Sequence, residues 1–179
     1  MRQTEAFILR LESLQAGERS RLRRLAGQPL DETVPGFDLF TGLWWPLRQS
    51  SASAPRRETS WLVAKLFGAF PLPHVGEAGL PAVLSACEPP DEFGRKRFHD
   101  RFDALLQTPL SRLEPHLRWA LSVAVDAVEA GSAKGINWVQ LLDDLSIWDR
   151  GEEHRRNRDV RDIWAEDYLN AAYQDERMS

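Results

Sequence analysis

One stretch restricts the fold more than any other: Lys134 to Trp148, KGINWVQLLDDLSIW, with the segment Val160 to Tyr168, VRDIWAEDY, that follows it. Trp138, Leu141, Leu142, Leu145 and Trp148 recur at intervals of three and four residues. That spacing gathers apolar side chains on one face of a helix. Asn137 stands at the position of an N-cap after a break at Gly135, and Asp143 and Asp144 are expected to face solvent. Val160, Ile163, Trp164 and Tyr168 repeat the pattern on a closing helix. At roughly 25 cal/mol per Å² of apolar surface, burying these Trp rings offsets much of the ordering cost. The two helices are therefore expected to pack together.

The same periodicity runs through the rest of the chain. Residues 3–15 read as a helix with Phe7, Leu11 and Leu14 inward, broken by Gly17. Glu18 to Leu25 follows, with Leu22 and Leu25 inward. A loop bounded by Pro29 and Pro35 leads to a third apolar helix carrying Phe37, Phe40, Leu43, Trp44 and Leu47. The polar run 48–57, RQSSASAPRR, reads as a loop. A fourth helix is predicted from Glu58 to about Ala69, and a short one from Leu80 to Ala86. Glu88-Pro89-Pro90 cannot continue a helix and is the expected boundary between two halves. Beyond it lie helices over Asp91–Leu106 and Pro109–Ala130, the second with proline in its first turn.

No segment alternates with the period of two that a strand requires. The expected fold is all-α: an N-terminal bundle over 1–88 and a C-terminal bundle over 91–179, packed into one elongated subunit.

The chain carries no chemistry-bearing motif. It has neither a GxGxxG nor a GxxxxGK[ST] loop. His74, His99, His116 and His154 are scattered, so no metal or other cofactor is expected. Cys87 is the only cysteine and reads as a small buried hydrophobe in a reducing cytoplasm. The paired acids Asp143-Asp144 and Glu152-Glu153 read as a solvated face or partner salt bridges; neighbours on a helix point about 100° apart, so Asp143 and Asp144 do not converge. No catalytic residue is expected. The opening MRQTEAFILRLESL has no apolar core followed by a small-residue cleavage site, so no secretory leader is expected, and no run reaches the length of a membrane span.

Three basic clusters remain. Arg19, Arg21, Arg23 and Arg24 are opposed only by Glu18. Arg95, Lys96, Arg97 and Arg101 are partly offset by Asp91, Glu92 and Asp100. Arg155, Arg156, Arg158 and Arg161 face Glu152, Glu153, Asp159 and Asp162, an alternation that favours solvated ion pairs. Arg56, Arg57 and Arg118 stand apart. The net charge of −4 argues against indiscriminate nucleic-acid binding, but a phosphate clamp needs only a local basic face.

The pattern Asn-Trp-x-x-Leu-Leu-x-Asp-Leu-x-x-Trp-Asp from Asn137, followed by Val160-Arg161 and Trp164-Ala165-x-x-Tyr168, resembles the CasB family, the small subunit of the type I-E CRISPR Cascade complex. The similarity extends to the LRR-x-x-G run at Leu22 to Gly27. It implies a non-catalytic, two-bundle helical subunit that pairs with a second copy of itself. The implied partners are the Cascade backbone and large subunits, the guide RNA and the target DNA. Carried over by position, Arg23, Arg24, Arg57, Arg101, Arg118, Arg158 and Arg161 are the implied phosphate clamps. The competing reading is a helical scaffold that makes protein contacts only.

Overall fold

Apolar residues at helical spacing do become helices, and no strand forms among the described residues. The structure is a computed structural model describing residues 1–28, 34–52, 54–151 and 158–178; for 34–37 and 175 it describes only the helical backbone. Pro29, Glu152, Glu153, His154, Arg155 and Arg156 lie outside the described residues, as does the side chain of Phe37. The helices are α1 (Gln3–Glu12), α2 (Ala16–Arg24), α3 (Val34–Ser50), α4 (Arg57–Ala69), α5 (Leu80–Ser85), α6 (Glu92–Gln107), α7 (Glu114–Glu129), α8 (Trp138–Ser146) and α9 (Val160–Met178). No helix among the described residues is long and apolar enough to cross a membrane.

These helices form two compact units. The first comprises Met1–Pro71 together with Trp138–Ser146. Its centre is α4, buried without interruption from Thr59 to Phe67, with α2, α3 and α8 against it. Helix α1 packs on α3 and α8. Phe7, Ile8, Leu11, Leu22, Phe40, Trp61, Leu66, Trp138 and Leu142 supply much of the core. Lys65 is buried with them; its ammonium donates to the Gln28 carbonyl at 2.9 Å and lies 5.5 Å from the Trp61 ring centre. Pro46 interrupts the hydrogen bonding of α3 on an exposed face, where water can satisfy the freed carbonyl.

The second unit comprises Leu72–Asn137 and Ile147–Ser179. Helix α5 packs on α7 and α9, and α6 packs on the same two helices. Leu84, Phe98, Phe102, Leu105, Leu117, Leu121, Trp148, Val160, Trp164 and Tyr168 form its core. Gly135 allows two backbones to meet: a Cβ there would lie 2.2 Å from the Pro73 oxygen, where Ile136 donates to Pro73 at 3.0 Å and Val75 to Ile136 at 2.8 Å.

Several expectations are corrected. The stripe from Trp138 to Trp148 is divided, because α8 ends at Ser146. Trp138, Leu141, Leu142 and Leu145 join α1 and α4 in the first unit, while Trp148 meets Trp164 edge-to-face at 5.1 Å in the second. Asp144 does not face solvent. Helix α8 is covered by both α1 and α4, so Asp144 is buried and accepts from Gln140 at 2.7 Å. Half-buried Asp143 pairs with Arg2 at 3.1 Å.

Gly17 lies inside the first turn of α2, whose start is closed by the Gln15 N–H donating to Glu18 at 2.9 Å. Pro35 lies within α3, and the helix after Pro109 starts at Glu114, with Pro115 in its first turn and a 3₁₀ turn over Leu110–Arg112 before it. The unit division falls at Pro71–Leu72 and around α8, whereas Glu88-Pro89-Pro90 lies within the second unit.

Candidate nucleic-acid interface

Helix α2 holds its arginines against α4 at very short range. A Cβ on Gly68 would lie 2.6 Å from the Leu22 Cβ, 2.9 Å from the Arg19 oxygen and 3.1 Å from the Arg23 nitrogen. The two helices therefore touch backbone to backbone, and glycine is what permits it. Arg19 is drawn into this contact, with its guanidinium 5.5 Å from the Phe67 ring centre and donating to the Glu12 carbonyl at 2.7 Å. Glu18, the acid facing the cluster, is occupied at the helix start. Arg23 and Arg24 are left exposed in the last turn of α2, with no ion pair among the described residues. Cations at that end also complement the helix dipole.

Arg57 opens α4 and sits 3.6 Å from Glu58, half-buried. At 1.5 Å per residue, the eleven residues to Gly68 put it about 16 Å along the helix from the α2 contact. The first-unit arginines thus form two separate points.

In the second unit, Arg101 on α6 reaches over the Trp119 ring of α7 at 5.8 Å, and Trp119 meets Phe98 edge-on at 5.2 Å. Arg118 precedes that Trp, exposed and without an ion pair among the described residues. The fold therefore brings Arg101 to the helix that carries Arg118. One turn before Arg101, Arg97 covers the ring of Phe93 at 5.8 Å, a pairing that the i, i+4 spacing alone could have suggested.

Arg158 and Arg161 occupy the start of α9, where Asp159 accepts the Arg161 N–H at 2.9 Å. Arg158 is exposed and paired with Glu166, which raises its pKa through the hydrogen bond and then the charge. Arg161 is built into the packing. Its guanidinium lies 5.4 Å from the Trp148 ring centre and 3.0 Å from Asp149, whose carboxylate also accepts the Leu110 N–H at 3.2 Å. Its buried Nε has no partner among the described residues.

Cys87 is only half-buried; that burial, helped by Asp126, raises its thiol pKa. Among the described residues no group of three or more His, Cys, Asp or Glu side chains could hold a metal.

The family model for CRISPR-associated protein Cse2 matches residues 18–169, most of the chain. The chain belongs to the Cse2 family. Arg19, Arg23, Arg24, Arg57, Arg101, Arg118, Arg158 and Arg161 all lie inside the matched range. No curated protein sequence matches it significantly.

Among solved structures, this Cse2-family chain is similar to M. ruber CasB at 22% identity and a TM-score of 0.75, covering 100% of this chain and 99% of that one. It is similar to CasB from Thermus thermophilus at 24% identity and a TM-score of 0.66, covering 95% and 99%. A chain of a CRISPR RNA-guided surveillance complex superposes with a TM-score of 0.72 at 18% identity, covering 98% and 96%. These likenesses establish that the Cse2-family fold extends over the whole length of the molecule.

Proposed function

We propose that this chain is the non-catalytic small subunit of a type I-E Cascade complex. In this reading it binds nucleic acid without sequence preference and stabilises the guide RNA–target DNA R-loop and the displaced strand. Base pairing reads the sequence, and the exchange of duplex for heteroduplex is nearly balanced, so contacts to backbones can tip it. Its partners are the backbone and large subunits, a second copy of itself, the guide RNA and the target DNA. The carrying observation is the pair Arg23 and Arg24, exposed and free of ion pairs among the described residues on a helix locked to α4. Arg101 and Arg118 support the same reading, and Arg57 and Arg158 would join as secondary phosphate contacts. Arg161 contributes through the placement of α9.

The negative net charge is accommodated by a complex in which neighbouring subunits supply part of the positive surface. Fluorescence anisotropy with labelled single-stranded DNA between about 50 and 200 mM salt tests the proposal. Binding to a single strand should weaken with a log–log slope of about −0.7 per phosphate contacted. Arg23→Ala/Arg24→Ala should weaken binding and make that slope shallower by about 1.4. An unchanged affinity and slope in the double variant would remove the first cluster from the site.

The engagement of Arg158 and Arg161 by acids within the chain favours one alternative, a scaffold that contacts protein only. Loss of assembly in Arg23→Ala/Arg24→Ala would support that reading, whereas loss of nucleic-acid retention with assembly intact would support the clamp.

A further inference from the structure

We infer that Phe93 and Arg97 form a stacking site for an unpaired nucleobase, so that α6 holds a single strand by its bases as well as its phosphates. This rests on the nucleic-acid reading above and adds a chemical preference to it, for unpaired over fully paired strands.

Phe93 stands in the first turn of α6 and is 71% exposed. An apolar ring that open contributes little to the fold. The Arg97 guanidinium covers it from one turn along the helix, 5.8 Å from the ring centre. A ring covered on one face by a cation and otherwise open is the platform on which successive bases of a single strand stack, with the arginine contributing cation–π attraction. A base in a duplex is already stacked and paired, so it cannot use such a platform without being unpaired.

The surroundings supply the phosphate contacts. Arg95, Lys96, Arg97 and Arg101 are all exposed on the same helix, and Arg97 and Arg101 follow Phe93 at successive turns, about 6 Å apart along the axis. The nearby acids are mostly engaged. Asp91 accepts the Gly94 N–H at 2.6 Å, and Asp100 lies 3.7 Å from Lys96. Exposed Asp91 and Glu92 at this end of the helix oppose a phosphate, because the hydrogen bond from Gly94 leaves the Asp91 carboxylate charged.

Two other exposed rings lack this combination. Trp45 has Arg48 nearby in sequence, but that guanidinium donates to the Ala52 carbonyl at 2.7 Å. Tyr173 is covered by Arg177 at 4.9 Å, on a helix that also carries Asp162, Glu166, Asp167, Asp175 and Glu176.

The test compares, on the full chain at about 50 mM salt, a labelled single-stranded oligonucleotide with an abasic strand of equal length. Both carry the same phosphates, so their affinity ratio isolates the bases. Wild type should favour the base-bearing strand by at least about fivefold, the lower end of base–aromatic stacking. Phe93→Ala should bring that ratio close to one without changing the salt slope, and Phe93→Trp should restore it. Arg97→Ala should lower both ratio and slope, and Tyr173→Ala should alter neither. Far-UV circular dichroism checks that each variant folds. A wild-type ratio near one, or a preference retained by Phe93→Ala, overturns the stacking site and leaves the arginine clamp standing. Failure to bind either strand overturns nucleic-acid binding by the chain on its own, and the stacking site with it.

Discussion

Tyr168 donates its phenolic hydrogen to Glu88, eighty residues earlier in the chain. His99 Nε2 lies 2.5 Å from the same carboxylate oxygen, and the Tyr168 ring stacks on Phe102 at 4.4 Å. Glu88, which stands in a segment that cannot be helical, is therefore the point at which α6 and α9 are tied to the end of α5. Burial first, and then the hydrogen bond to Glu88, raise the Tyr168 pKa well above its ordinary value.

Tyr168→Phe removes a bond to a charged acceptor and should cost about 1.5 to 3 kcal/mol near neutral pH. The folded state holds the phenolic proton at pH values where the unfolded chain has lost it. The tyrosine contribution is thus complete below about pH 10 and declines as pH rises further. Urea unfolding of wild type and Tyr168→Phe should give a stability gap that is constant from pH 7 to 9 and narrows above about 10. A gap that widened there would contradict the assignment.

Trp148 does two separable things: it packs on Trp164 and donates its indole N–H to the Thr108 carbonyl at 2.9 Å. Trp148→Ala should cost about 3 to 5 kcal/mol. Trp148→Phe keeps a ring but strands the carbonyl, and should cost about 1 to 3 kcal/mol. Denaturant titration of both variants checks the order.

Gly68→Ala should destabilise by about 1 to 3 kcal/mol. Alanine favours a helix by up to about 1 kcal/mol over glycine. Here the clash is with the α2 backbone, which cannot step aside as a flexible side chain can. Because α2 carries Arg23 and Arg24, the variant should also weaken DNA binding while all the arginines remain present.

Arg161 and Arg158 lie three residues apart and should behave differently. Arg161→Ala uncovers Trp148 and frees Asp149, and should lower stability by about 1 to 3 kcal/mol. Arg158→Ala removes an exposed pair and should leave thermal stability nearly unchanged. Thermal melts of the two single variants decide this. Equal losses would mean that Arg161 is no more embedded than its neighbour.

Helices α4, α6, α7 and α9 were readable because each carries a stripe of large apolar residues at three- and four-residue spacing. Spacing says which side chains share a face, not which partner that face meets. Trp138 and Trp148 look equivalent in sequence, yet the helix stops between them and their packing partners differ. Lys65 is buried because a carbonyl thirty-seven residues earlier receives its charge, an approach that no local spacing encodes. The site shows the same limit. Arg23, Arg24, Arg101, Arg118 and Arg158 are exposed as their composition suggests, whereas Arg161 is drawn inward by a Trp and an Asp from a different segment. The stacked Tyr168 was legible as core, but its bond to Glu88 depends on tertiary approach that no local pattern encodes.

Helix α8 belongs to a unit whose other helices all end before Leu72, while its flanking residues on both sides belong to the other. The first unit is therefore not a continuous piece of polypeptide. During synthesis from the N-terminus, α1 and α4 must wait some seventy residues for Trp138 and Leu142 to emerge before their shared core can close. A nascent chain stopped near Pro71 exposes Phe67 without the Trp ring that tilts against it at 5.2 Å. Such a fragment should collect on chaperones or aggregate, and the intact subunit should mature only once translation has passed Ser146.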